Sequence, residues 1–196
     1  MNLNIKLLAD ICEAPGAPGH EQLIRKLILD QVRPLVDEVK IDNLGSVYAI
    51  KKGKSSEKRV MVAAHMDEIG FIVKHIDENG FLRFHTLGAF DAKTLTAQRV
   101  IVHGKKDVIG VMGTKPSHIM TAEEKAKPIS TTDFFIDLGL PHSEVVKLIT
   151  IGDTITRERQ LIEMGDCVNC KSIDNRVSVF ILLVTLKLLT VIPFVV

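Results

Sequence analysis

The stretch Arg59-Val60-Met61-Val62-Ala63-Ala64-His65-Met66-Asp67-Glu68-Ile69-Gly70 decides the fold. Its first six residues are almost wholly apolar and free of Gly and Pro, which predicts a short strand buried on both faces of an α/β sheet. Ligands gather at the carboxyl ends of strands in such sheets, and this strand would deliver His65 and Asp67 there. Side chains two apart in extended chain point to the same side, so the two can face one site together. A neutral imidazole is a good ligand for a first-row metal ion. A carboxylate on its other ring nitrogen fixes the tautomer and raises its basicity. The tripeptide His-x-Asp is common by chance, so an ordinary histidine with a polar neighbour is the bland alternative.

Working outward, Leu7, Leu8 and Ile11, then Leu23, Ile24, Leu27, Ile28 and Val32, recur at helical spacing on either side of the loop Pro15-Gly16-Ala17-Pro18-Gly19. Val39 and Ile41 alternate with polar residues, and Asn43-Leu44-Gly45 turns the chain into a second strand at 47–50. Beyond the central stretch, residues 71–76 and 81–85 flank Asn79-Gly80, a hairpin signal because both turn residues tolerate positive φ. Residues 99–103 and 108–112 repeat the pattern, and 143–148 reads as a short helix. The expected organisation is an α/β domain from 1–68 plus 165–196, with 69–164 inserted as a β-rich domain.

The 196 residues carry 25 Lys and Arg against 24 Asp and Glu. No sequence-wide field draws in nucleic acid or an anionic membrane. An apolar fraction of 46% excludes a disordered chain. Cys12, Cys167 and Cys170 are an odd number, and Asn4, Lys6 and Asp10 interrupt the N-terminal apolar stretch before it could act as an export signal. Both features predict a reducing, cytoplasmic setting. Cys167-Val168-Asn169-Cys170 lacks the second pair of a structural zinc site, which sets a zinc or redox role against an incidental loop pair. His75, His85, His103, His118 and His142 have no ligand-spaced partners and read as surface or hydrogen-bonding residues.

Lys171-Ser172-Ile173-Asp174-Asn175-Arg176 directly precedes a long apolar helical pattern. Asp174 there is either a helix N-cap or, with its two carboxylate oxygens, a bridge between paired metal ions.

Several short motifs occur in a telling order. They are Ala14-Pro15-Gly16-Ala17-Pro18-Gly19-His20-Glu21, Asp42-Asn43-Leu44-Gly45, Ala64-His65-Met66-Asp67-Glu68-Ile69-Gly70 and Gln98-Arg99-Val100. Lys115-Pro116-Ser117-His118, Asp137-Leu138-Gly139, Ile151-Gly152-Asp153 and Ile173-Asp174-Asn175-Arg176 follow. In this arrangement the chain resembles the dinuclear-metal aminopeptidases, which include glutamyl, deblocking and tetrahedral aminopeptidases and some relatives labelled endoglucanase.

The resemblance implies a metallopeptidase of the phosphorylase/hydrolase-like α/β class, incomplete at its C-terminus, with a PDZ-like β-barrel inserted for dimerisation and larger assemblies. It implies His65 and Asp174 as metal ligands, Asp174 bridging, and Asp67 as the catalytic-site carboxylate that orients His65. Two divalent ions, zinc, cobalt or manganese, would activate water to remove the first residue from peptides with a free amino terminus. No nucleic-acid or membrane partner is implied.

In the family the general-base glutamate, its neighbouring glutamate ligand and the remaining Asp and His ligands lie beyond the bridging aspartate. The residues after Asp174 here contain no Asp, Glu or His. That makes a catalytically inactive truncated or frameshifted fragment, self-associating through its insert, the alternative to an active aminopeptidase. An endoglucanase using Asp67 and Asp174 as its carboxyl pair is a third reading. Glu123-Glu124 imitates the family's glutamate pair but lies in a polar, Lys-rich segment and reads as a solvated face. Ser46 stands where the family favours Asn, and Ala89 and Ala97 where it favours Gly. The apolar tail from Val177 to Val196 has the length of a membrane span. Lys187 at its centre and Pro193 count against a span, and the family resemblance implies instead a buried helix after Asp174 followed by the opening of a central strand.

Overall fold

Asn4 accepts a hydrogen bond from the Leu7 amide at 3.0 Å and caps helix α1, Ile5–Glu13. The computed structural model describes residues 3–55, 57 and 59–189. Two compact units emerge, residues 1–68 with 160–196 and residues 69–159. In the first, α1 buries Leu7, Leu8, Ile11 and Cys12, and α2 (Gln22–Val32) buries Ile24, Ile28, Leu29 and Val32. Strands β1 (Glu38–Ile41) and β2 (Val47–Ile50) pair antiparallel, and the Asp42 carboxylate between them accepts from the Leu44 and Ser46 amides at 2.9 Å each. These elements fall where the periodicities place them.

The second unit is a closed antiparallel barrel. Its strands are β3 (Gly70–Ile76), β4 (Leu82–Leu87), β5 (Arg99–His103), β6 (Asp107–Gly113), β7 (Phe135–Asp137) and β8 (Thr154–Arg157), ordered β3-β4-β7-β6-β5-β8. Closure leaves no unpaired edge. Gly80, at φ +90, makes the β3–β4 turn that an L-residue would resist. Inward-facing residues alternate along the strands, as Val100 and Val102 do on β5. Phe71 meets Phe84 edge-on at 5.0 Å and stacks on Phe90 at 4.3 Å. Helix α3 (Ala122–Ala126) is exposed, and α4 (His142–Leu148) buries Val145 in the barrel core.

The chain returns to the first unit after Arg159, and the Leu161 amide donates to Glu13 Oε1 at 2.8 Å. A hairpin of β9 (Ile162–Met164) and β10 (Cys167–Asn169) leads into α5, Ile173–Leu188. Arg176, Val179, Phe180 and Leu183 form the buried stripe of α5. The last three of them pack with the α1 and α2 stripes in one core.

The strand expected at 59–64 is not formed: residues 60–69 have no regular secondary structure, and Val60, Met61 and Val62 are 41%, 85% and 56% exposed. An apolar run signals burial, but a strand also needs hydrogen-bonded neighbours along its length, and among the described residues this segment has only an isolated bridge at Arg59. The strand expected at the end of the apolar tail falls on residues 190–196, outside the described residues. Among the described residues no helix is long and apolar enough to cross a membrane.

Ala97 is exposed at φ +58, in the left-handed region. That conformation costs an L-residue about 1–2 kcal/mol, part of which glycine gives back through its freer unfolded chain. Ala97→Gly is expected to raise the unfolding free energy by about 0.5–1 kcal/mol in urea denaturation.

Candidate metal centre

His65 Nδ1 lies 2.9 Å from Asp67 Oδ1, so the two side chains do face one site. The other ring nitrogen, Nε2, lies 3.3 Å from Asp174 Oδ1, brought in from the start of α5. One imidazole is therefore held between two carboxylates. A neutral imidazole donates from only one nitrogen. If Nδ1 donates to Asp67, Nε2 presents a lone pair to a carboxylate oxygen, and only a proton or a metal cation between them makes that contact favourable.

The spacing suits a metal. Two ligands about 2.0–2.2 Å from a tetrahedral zinc stand about 3.4 Å apart. Among the described residues no group of three His, Cys, Asp or Glu could hold an ion. His65 and Asp174 thus furnish two of the roughly three protein ligands that a catalytic zinc keeps. Asp174 lies at a kink in the start of α5, with non-helical φ −85 and ψ 107, and its carboxylate turns to His65.

Sequence reasoning passed over the charges behind this pair. Glu68, Lys171 and Arg176 are 3%, 4% and 0% exposed. Lys171 Nζ donates to Glu68 Oε1 at 2.8 Å, and the Ser172 hydroxyl lies 3.2 Å from Glu68 Oε2 and 2.9 Å from the Cys12 carbonyl. Arg176 Nε donates to the Met66 carbonyl at 2.8 Å, while its Nη1 donates to the carbonyls of Ile11, at 2.7 Å, and Ala14. Its Nη2 is buried without a hydrogen-bond partner among the described residues, 3.8 Å from Glu68 Oε1. A Cβ on Gly16 would stand 2.6 Å from that nitrogen, which explains the glycine. Burial pushes the Lys171 ammonium below the ordinary lysine range, and Glu68 opposes the shift. The signal that could have revealed Arg176 was its place on the buried i, i+3, i+4, i+7 stripe of α5, a position that a surface charge would not occupy.

Other clusters resolve as structural. His103 Nδ1 contacts Asp107 Oδ1 and its Nε2 contacts Thr156 Oγ1, both at 2.9 Å. Thr156, the would-be nucleophile of this triad-like arrangement, is 0% exposed inside the barrel wall, so no substrate reaches it. Glu124 closes a capping box with Thr121 and pairs with Lys115, which holds its carboxyl below the usual range. Cys167 and Cys170 belong to no metal-holding cluster among the described residues, and burial pushes Cys12 up to about 11, with Cys170 adding to the shift.

A sequence profile described as M42 glutamyl aminopeptidase matches residues 45–193. The chain belongs to the M42 glutamyl aminopeptidase family. FrvX of Escherichia coli (strain K12) is 39% identical over 181 residues, covering 90% of this chain and 50% of FrvX. A TET aminopeptidase from a marine-sediment Thaumarchaeota archaeon superposes with a TM-score of 0.90 at 33% identity, over 94% of this chain and 53% of that one. The TET1 peptidase of Pyrococcus horikoshii, described as assembling into a tetrahedron or a large octahedral shell, gives a TM-score of 0.81 at 29% identity over 93% of this chain and 55% of its own. This M42 chain spans about half the length of these relatives.

The thiols provide a direct check on the M42 chain's first unit. Cys167 is exposed and Cys12 buried. With a pKa of about 11, only about one Cys12 in a thousand is thiolate at pH 8. Alkylation by iodoacetamide at pH 8, followed by peptide mass spectrometry, is expected to modify Cys167 fully before Cys12 reacts. Cys12 should become reactive only as the pH approaches 11.

Proposed function

We propose that this chain carries part of the metal centre of an aminopeptidase-type hydrolase that removes the first residue from peptides with a free amino terminus. The observation that carries the reading is the single imidazole of His65 held between Asp67 and Asp174 at 2.9 and 3.3 Å. Asp67 keeps the ring proton on Nδ1, so that Nε2 presents its lone pair as a ligand. Asp174, its side chain 98% exposed, has a second oxygen with which to bridge two ions. Zinc, cobalt and manganese all suit an imidazole and carboxylate donor set. A divalent cation held by His65 and Asp174 would supply an acidified water and a Lewis acid for the substrate carbonyl. Asp67 and Asp174 both engage the imidazole, which argues against their flanking a sugar bond as a glucanase pair.

The barrel of residues 69–159 we read as the PDZ-like insert of the family, through which copies of the chain associate. The assemblies described for the Pyrococcus horikoshii relative support this reading. The free cysteines support a reducing, cytoplasmic setting. A second reading, a chain that associates without turning over substrate, is favoured by the lack of a third nearby ligand among the described residues.

Calorimetric titration with zinc, cobalt and manganese, alongside assays on aminoacyl p-nitroanilides, separates the two. Metal binding that weakens about tenfold or more in His65→Ala and in Asp174→Asn is expected. Turnover lost in both variants establishes the hydrolase reading. Metal binding with no turnover selects the second reading, and binding indifferent to both substitutions removes the metal centre from these residues.

A further inference from the structure

The side chains of His65 and Asp174 are 52% and 98% exposed, so packing around them does not set their separation. What holds them must lie in the backbone segments that carry them. Glu68 lies three residues after His65, and Lys171 three before Asp174. A span of three residues reaches up to about 11 Å when fully extended, so anchoring at 68 and 171 bounds where the exposed ends can go without fixing them. Arg176 adds a shorter tie. It stands two residues after Asp174, and its Nε grips the carbonyl of Met66, the residue between His65 and Asp67. The same guanidinium holds the carbonyls of Ile11 and Ala14 at the end of α1, and the Glu68 amide donates to the Gly16 carbonyl at 2.9 Å.

We infer that Glu68, Lys171 and Arg176 are positioning residues, a buried charge cluster that fixes the distance between His65 and Asp174 before any metal binds. Glu68 and Lys171 neutralise each other, while the remaining cation, Arg176, is met by three carbonyl dipoles. Each charge is therefore tied to a particular partner, and each partner belongs to a segment bearing the site or to the α1 end that both segments share. A tie between charges out of water tolerates little displacement, because separating the pair leaves an unsolvated ion. The value of the fixed distance for capturing a metal rests on the proposed function; the fixed distance itself does not.

The test uses the whole chain without metal and reads the His65 ring nitrogens by 15N NMR, with thermal melting and zinc titration in parallel. Lys171→Met and Glu68→Gln are expected to move the His65 signals to those of a freely exchanging imidazole and to weaken zinc binding about tenfold. Ser172→Ala, which removes no charge, keeps the test open where neither charge variant folds, and it is expected to move the same signals less. Leu183→Ala serves as the control. It opens a cavity elsewhere on α5, where Leu183 is 2% exposed, and should lower the melting temperature while leaving His65 unmoved.

Wild-type His65 signals in the folded charge variants, or in Ser172→Ala where those do not fold, overturn the inference. So does an equal movement in Leu183→Ala. Ordered His65 signals that depend on Lys171, in a chain that binds no zinc, support the positioning role while removing the metal reading.

Discussion

A carboxylate that has left water needs a cation within reach, and Glu68 finds it in Lys171, 103 residues further along the chain. The barrel lies between them in sequence, so the pair joins the two stretches of chain that make up the first unit. Removing one partner of such a pair costs about 3–5 kcal/mol, because the other is left buried and uncompensated. The adjoining interactions follow from that constraint. Ser172 and Arg176 surround the pair, Gly16 yields its side chain to make room, and the segments bearing His65, Asp67 and Asp174 emerge from the cluster into solvent.

The legible parts of the sequence were those governed by short periods. Helical spacing placed α1 and α2, and the Asn79-Gly80 signal placed the β3–β4 turn. The His65–Asp67 contact was legible because an i, i+2 spacing in extended chain is a local matter. The 109-residue separation of His65 and Asp174 was beyond any local rule, and only the order of motifs brought the two together. Glu68, Lys171 and Arg176 escaped because an isolated charged residue is by default a surface residue. For Arg176 the helical stripe contradicted that default, whereas nothing local marks Glu68 or Lys171.

The segment 59–64 shows the converse error. Its apolar run correctly announces a surface that does not favour water, yet hydrophobicity names no hydrogen-bonding partner. Without a paired strand among the described residues the segment remains irregular and exposed at Val60, Met61 and Val62. His103, Asp107 and Thr156 carry a related lesson. Distances of 2.9 Å reproduce the connectivity of a nucleophilic triad, but the burial of Thr156 decides that the cluster braces strands instead.

The central claim is that His65 Nε2 and Asp174 Oδ1 are set apart at the spacing of two ligands on one ion. Crystals grown with excess zinc and measured on both sides of the zinc absorption edge test it directly. The account predicts an anomalous peak about 2.0–2.2 Å from both atoms, with Asp67 still on Nδ1. Zinc found on other histidines, with His65 and Asp174 in contact and no metal between them, would contradict it.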